Sequence, residues 1–369
     1  MTTLEQARQR LRIFAEREAV GISPLYEHLA AKAAEDDDVA GLLTAAKPEF
    51  SSPTLLMAAV HRVLQSEPVH PLAVYYPSLG GSSGPDAGTW PLFREFVLDH
   101  ADRVRELVAT RTTQTNEVRR AAALYPGIAL AAKEARGPIG LLEVGCSAGL
   151  LLGLDRYGYR YQTEEAGQLA VGPAKTPLGL HCALRLAGGA TLPKLPKKIT
   201  VGAKVGLDRN PLDLEDEESY AWLEACIWPD QPQRHQLFGV AATMRAKDPP
   251  ATVRGDAVDD LPSAAALVPD DLPLVVMTSH ALAYLSEQRR ADFVRTLGEL
   301  AGQRPLWWVS KEHYRGGLNL VLPDRPDLDQ GEGQPFFAVL GLVRWSGGKP
   351  VARALALTSA HGERLTWLG

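Results

Sequence analysis

Residues Leu141 to Leu150, LLEVGCSAGL, restrict the fold more than any other stretch of this chain. A bounded apolar run, LLEV, has the length and composition of a fully buried strand, the kind found in parallel sheets covered on both faces. Gly145-Cys146-Ser147-Ala148-Gly149 follows, and its small residues let the backbone turn sharply and approach a ligand closely. LLLGLDRYGY then reads as a helix start, whose free N–H groups and positive dipole end would favour a negatively charged group. The stretch therefore predicts a strand–turn–helix cradle for a nucleotide or a carboxylate.

The residues around it split in character. Leu4, Ala7, Leu11, Phe14 and Ala15 recur at helical spacing, and SPLYEHLAAKAAED and SPTLLMAAVHRVLQ each open on Ser-Pro, a cap followed by the first helical position. WPLFREFVLDHADRVRELVATR and NEVRRAAALYPGIALAAKEAR continue the helical pattern, and only LAVYY alternates like a strand. Residues 1–135 are read as an all-helical domain. From Pro138, strands alternate with helices: LLEVG, VGAKVGLDRN, ATVRGDA, LPLVVMTSH and RPLWWVSKE, with an irregular insertion near 157–205. That alternation predicts an α/β domain over 136–369 with a parallel sheet, closed by a terminal antiparallel pair formed from QPFFAVLGLVRW and PVARALALTSAHGERLTWLG.

Charge narrows the partners. With 39 basic and 44 acidic residues the net charge is −5, which argues against coating nucleic acid. No apolar run approaches the roughly 18 residues that cross a bilayer. Cys146, Cys182 and Cys226 lie far apart without metal-ligand spacing, so no metal is expected and a reduced, cytoplasmic setting is. The oligomeric state is not legible.

Glu143-Val-Gly145-Cys146-Ser147-Ala-Gly149 resembles the first motif of S-adenosylmethionine-dependent methyltransferases, with Ser147 standing at a usual Gly position. The resemblance implies that Glu143 positions the ligand's amino-acid end and that Gly145, Cys146, Ser147 and Gly149 form its seat. Gly255-Asp256-Ala257 resembles the segment whose Asp faces the adenine amino group, and LVVMTSHALAYL resembles the fourth strand, ending at Ser279 beside the transferred methyl. The ribose-holding acid is assigned to Asp208 in preference to Glu164 or Glu165, which makes 160–200 an insertion. The resemblance thus predicts a Rossmann-like methyltransferase sheet with S-adenosylmethionine as cofactor and a small molecule as acceptor, the helical domain serving as lid. Most of positions 20–310 also resembles a bacterial family of unknown function that carries such a domain after a helical one. SPLYEHLA, YYPSLGG, RTTQTNEVRR, LLEVGCSAGL, GLDRNPLD, IWPDQ, VRGDAVDDLP and HALAYL carry that resemblance.

Two polar clusters remain. In TTQTNEVRR, Gln114, Asn116 and Arg120 are candidate substrate contacts and Glu117 a candidate catalytic acid or base; the plainer reading makes Thr115 or Asn116 a helix cap. Beyond the fourth strand, His280 is a candidate general base, its ordinary pKa of about 6.5 suiting neutral pH, and Tyr284 and Trp228 candidate pocket walls. Two rival readings stand beside this one. The same turn is G-x-S-x-G, which would make Ser147 a hydrolase nucleophile with Asp256 or Asp324 and His361. The fold can also persist as a ligand-sensing or partner-binding module without catalysis.

Overall fold

The computed structural model describes residues 2–164, 167–329 and 338–369. Glu165 and the first four residues of QPFFAVLGLVRW lie outside the described residues. The chain forms two compact units, Met1–Asn116 with Asp213–Gly239 and Glu117–Leu212 with Val240–Gly369. The sequence reading drew one cut, at 135.

The first unit is helical. Thr3 caps Leu4–Ile13 in a capping box with Gln6, Ser23 caps Pro24–Ala33, and Ser52 caps Pro53–Gln65. The long pattern after Trp90 breaks into Thr89–Asp99 and Ala101–Thr110, because the His100 ring donates to the Phe96 carbonyl at 2.8 Å and ends the first segment. LAVYY, expected to alternate, is a short 3₁₀ turn over Pro71–Tyr75. Leu11, Phe14, Tyr26, Leu56, Phe93, Phe96 and Trp222 form the core. The Trp222 indole donates to the Thr112 carbonyl at 3.0 Å, so the buried ring keeps its hydrogen bond.

The second unit is built on a mixed sheet of 11 strands. In chain order they are β1 Ile139–Val144, β2 Gly158–Gln162, β3 Gln168–Val171, β4 Gly179–Leu186, β5 Val201–Asp208, β6 Ala251–Arg254, β7 Leu274–Ser279, β8 Leu306–Glu312, β9 Ala338–Ser346, β10 Lys349–Thr358 and β11 Arg364–Trp367. Across the sheet the order is β3-β2-β4-β11-β10-β9-β8-β7-β1-β5-β6. β6, β5, β1, β7 and β8 are mutually parallel, and β9 runs against β8.

Three expectations are corrected. The stretch 157–205 is not an irregular insertion: β2 and β4 alternate, with Tyr159, Tyr161, Leu180, Cys182 and Leu184 buried between exposed neighbours. The terminal pair is three strands, because the chain turns between Thr358 and Arg364 and β11 pairs with β4. LLLGLDRYGY opens no α-helix. Gly149 is left-handed (φ +70°), a 3₁₀ turn covers Leu150–Arg156, and the Tyr157 hydroxyl folds back to donate to the Leu150 carbonyl at 2.6 Å. No α-helix dipole therefore starts at Gly149 to favour an anion.

β1, β7 and β8 are buried along nearly their whole length, as the apolar runs predict. One face carries Leu142, Val144, Val276 and Trp308 against Phe293 and Leu297 of the helix Glu287–Ala301. The other meets the helix Arg120–Ala135, where Gly127 lies against Val309 and Leu340 and the Trp307 indole donates to Glu134 Oε2 at 2.9 Å. A Cβ on Gly140 of β1 would overlap Val268 Cγ1. Gly140→Ala should cost about 2 kcal/mol of stability through overpacking, read as a lower urea midpoint. An unchanged midpoint would show that Val268 moves aside freely.

Candidate functional site

From β1 the chain runs to β5 and β6 on one side and returns to β7 on the other, so the order reverses around β1. In open α/β sheets the carboxyl edge at such a reversal is where ligands bind. Glu143 closes β1 there. It is 3% exposed, and its Oε2 has no hydrogen-bond partner among the described residues. Burial, and secondarily Asp208, push its carboxyl well above the ordinary value, while Arg120 opposes them.

The turn follows. Gly145 is exposed and left-handed (φ +80°), a conformation glycine takes without steric cost, and a Cβ there would lie 2.6 Å from the Ala281 Cβ. Ser147 also has positive φ (+49°), and its N–H donates to Asp208 Oδ2 at 2.8 Å. The other Asp208 oxygen accepts from the Asn210 N–H at 2.8 Å. The carboxylate ending β5 thus holds the turn after β1. Cys146 is buried with its sulfur over Gly206, and burial first, then Glu143 and Asp208, raise its thiol pKa. It serves as a core side chain.

Asp256, after β6, is fully engaged. Its oxygens accept from the Val258 N–H (2.9 Å), the Asp259 N–H (3.3 Å), Arg209 (2.7 Å) and Arg289. Burial works against ionisation, but these donors hold the carboxyl below its ordinary range. Gly255 is half-buried against Asp260, and Ala257 packs on the core.

Ser279 ends β7, and its buried Oγ has no hydrogen-bond partner among the described residues. His280 follows with φ +55°, held there by its N–H on the Lys311 carbonyl (3.1 Å). Its Nε2 lies 2.8 Å from the Lys311 Nζ, and Lys311 also donates to the Ala360 carbonyl at 3.0 Å. Burial first, then Lys311 and Arg120, keep the imidazole from taking a proton. Glu312, the next residue on β8, accepts from the Ala281 and Leu282 N–H groups at 3.0 and 3.4 Å. Burial pushes its carboxyl up to about 7 against those bonds.

Glu117 is buried and accepts from the Arg119 N–H at 3.0 Å and side chain at 3.2 Å. The helix Arg120–Ala135 has Arg119 as N-cap with no side-chain cap, so neither Thr115 nor Asn116 caps it. Glu143, Asp208, Ser279, His280, Glu117 and Arg120 all belong to the second unit; Gln114, Asn116 and Trp228 belong to the first. Trp228 packs edge-on against Phe14 at 5.5 Å and beside Tyr26 at 5.7 Å. Tyr284 is 85% exposed. Sequence reasoning missed Lys311 and Glu312. Their signal was a Lys-Glu pair ending the buried run LWWVSKE, where charge is costly unless it has a task.

No group of three or more His, Cys, Asp or Glu side chains suited to a metal occurs among the described residues, and no helix among them is long and apolar enough to cross a membrane. A comparison with curated proteins finds no match. The family model described as an uncharacterized protein conserved in bacteria (DUF2332) matches residues 8–367. The chain, matched over nearly its whole length, belongs to this bacterial family.

Proposed function

We propose that the second unit is an S-adenosylmethionine-dependent methyltransferase acting on a small molecule. One observation carries the reading: the acids ending adjacent parallel strands, Glu143 and Asp208, converge on a left-handed glycine turn at the point where strand order reverses. Further support comes from the parallel run β6-β5-β1-β7-β8 with the reversed strand β9 beside it, which resembles a Rossmann-like methyltransferase sheet up to β9. Beyond β9 the sheet departs from it through β10, β11, β4, β2 and β3.

The residues fit the cofactor at two of its three parts. The buried Glu143 Oε2, lacking a hydrogen-bond partner among the described residues, suits the amino group of the methionyl end. Each Asp208 oxygen accepts a backbone N–H and keeps a second lone pair for a ribose hydroxyl. Asp256, spent on two arginines and two backbone amides, is not assigned to the adenine. When bound, the cofactor supplies a methyl group already activated by its sulfonium. What remains for the chain is alignment, exclusion of water and removal of the acceptor's proton. Ser279 and His280 stand at the end of β7 for the last two tasks.

Calorimetric titration with S-adenosylmethionine and S-adenosylhomocysteine tests the reading. Both should bind, and Gly145→Val should weaken binding at least tenfold, because the side chain would occupy the space of Ala281. Absence of binding by the folded wild-type protein at millimolar ligand would overturn it.

A further inference from the structure

We propose that Lys311 stands behind His280 as the store for a proton that His280 lifts from an acceptor hydroxyl or amine at the carboxyl edge of β7 and β8. The inference rests on the methyl-transfer reading above. It begins with burial: Lys311 is 0% exposed, and no ion pair to it occurs among the described residues. Among the described residues its Nζ has two partners, the Ala360 carbonyl at 3.0 Å and the His280 Nε2 at 2.8 Å. The carbonyl takes one N–H. The ring nitrogen either accepts a second N–H or donates to the amine's lone pair. A neutral amine satisfies either arrangement, whereas an ammonium would bury a third N–H with no acceptor for it among the described residues.

Charged groups face Lys311 from every side. Arg120 and Glu117 lie at the start of the packed helix, Glu312 follows on the same strand, and Glu363 is the last residue of the β10–β11 turn. Burial, the largest influence, and Arg120 favour the neutral amine; Glu312, Glu363 and Glu117 oppose them, and the net effect lowers the amine's pKa well below its ordinary value. His280 has the geometry of a conduit. Its left-handed backbone, strained for a non-glycine residue, is pinned by its N–H on the Lys311 carbonyl, which keeps the ring against the amine. Alone, the imidazole is a poor proton acceptor, since burial and the neighbouring Lys311, Arg120, His313 and His361 all disfavour its charged form.

The relay balances. The acceptor's X–H bond breaks as an N–H bond forms at Nδ1 of His280, and the Nε2–H bond breaks as a third N–H forms on Lys311. The pair freed on X would be available to the methyl group that the bound cofactor supplies. Lys311 acts through His280 and is a positioning residue; His280 is the one that meets the substrate.

The test needs no ligand. Protein labelled with ¹³C at the lysine ε-carbon and ¹⁵N in the histidine rings is titrated by NMR from pH 4.5 to pH 11. One lysine signal, absent in Lys311→Met, is expected at its neutral position at pH 7.5, while exposed lysines titrate near 10.4. As the pH falls through that lysine's midpoint, the His280 ring should exchange its Nε2–H form for its Nδ1–H form, because a newly formed ammonium must donate to Nε2. A lysine that shares no proton with His280 would leave the ring's form unchanged. A Lys311 signal charged at pH 7.5, or a His280 ring that keeps one form through the lysine's midpoint, would overturn the proposal. Lys311→Arg provides the assignment if Lys311→Met does not fold. Neither resonance depends on the sulfonium ligands, so their failure to bind would sink methyl transfer and leave this result standing.

Discussion

Lowering the pH from 7 to 4 should remove about 3 kcal/mol from the stability of the helical unit through His61 alone, with about 4 kcal/mol lost by pH 3. His61 sits on the helix Pro53–Gln65 and is 0% exposed. Its Nδ1 lies 3.0 Å from the Ala225 carbonyl, which can only accept, so Nδ1 carries the proton and Nε2 accepts from the Ser78 hydroxyl at 2.8 Å. The neutral ring is fully paired, and protonation would add a charge that no buried carboxylate among its hydrogen-bond partners offsets. Burial, and secondarily His235, lower its pKa from 6.5 to about 3, against the pull of the Ala225 and Ile227 backbone bonds. The sign follows: the unfolded histidine takes a proton near 6.5 and the folded one only near 3, so the stability is whole above 6.5 and lost as pH falls towards 3. His235, also depressed by burial, adds in the same direction. In His61→Gln one N–H and one oxygen can serve the same two partners without a titrating charge. Amide exchange across Pro53–Gln65 should then lose most of its acid dependence between pH 6.5 and 4. If the variant keeps the wild-type slope, His61 is not the source.

What the sequence made legible divides along the range of the forces involved. LLEV, LPLVVMTS and LWWVS announce buried strands because burial on both faces leaves a run with no polar interruption, a purely local signal. Ser-Pro at 23–24 and 52–53 marks helix starts for an equally local reason. The failure at 157–205 has a physical cause. β2 and β4 do alternate, but they are short, and Gly, Pro and Lys between them break any long window. The helix expected after Gly149 fails because Tyr157 folds back onto Leu150, a contact that the spacing of LLLGLDRYGY does not reveal. Within the candidate site, motif order singled out Glu143 and Asp208, and the fold sets Asp208 against the Ser147 N–H. The states of Lys311 and His280 were not readable. They depend on Arg120 and Ala360, which lie 191 residues before Lys311 and 49 after it and meet it only when the sheet forms. The engagement of Asp256 was not readable either, since the arginines that pair with it, Arg209 and Arg289, come from separate segments.

Glu312→Gln should stabilise the sheet-bearing unit by about 3 kcal/mol relative to wild type at pH 8, and by much less at pH 5. Glu312 is 1% exposed, and burial lifts its carboxyl from 4.5 to about 7 even though the Ala281 and Leu282 amides, Lys311 and the Thr278 hydroxyl favour the charged form. A raised folded pKa means that the native state holds its proton more tightly than the unfolded chain. The favourable contribution is complete below 4.5 and is lost as pH rises through 7. Glutamine retains the oxygen that receives the Ala281 and Leu282 N–H groups and carries no charge to desolvate. Lys311 makes the comparison of variant with wild type necessary. Its lowered pKa gives a contribution of the opposite slope, lost as pH falls, so the wild-type curve alone would show the two partly cancelling. Only the difference between the two proteins isolates the carboxyl, read as urea midpoints or as amide exchange in β7 and β8 at pH 5, 6.5 and 8. A difference that grows across that range confirms a carboxyl kept neutral by burial. A constant loss of stability in the variant would mean instead that Glu312 is ionised throughout and that its charge, held by two backbone amides, is what anchors the loop carrying His280.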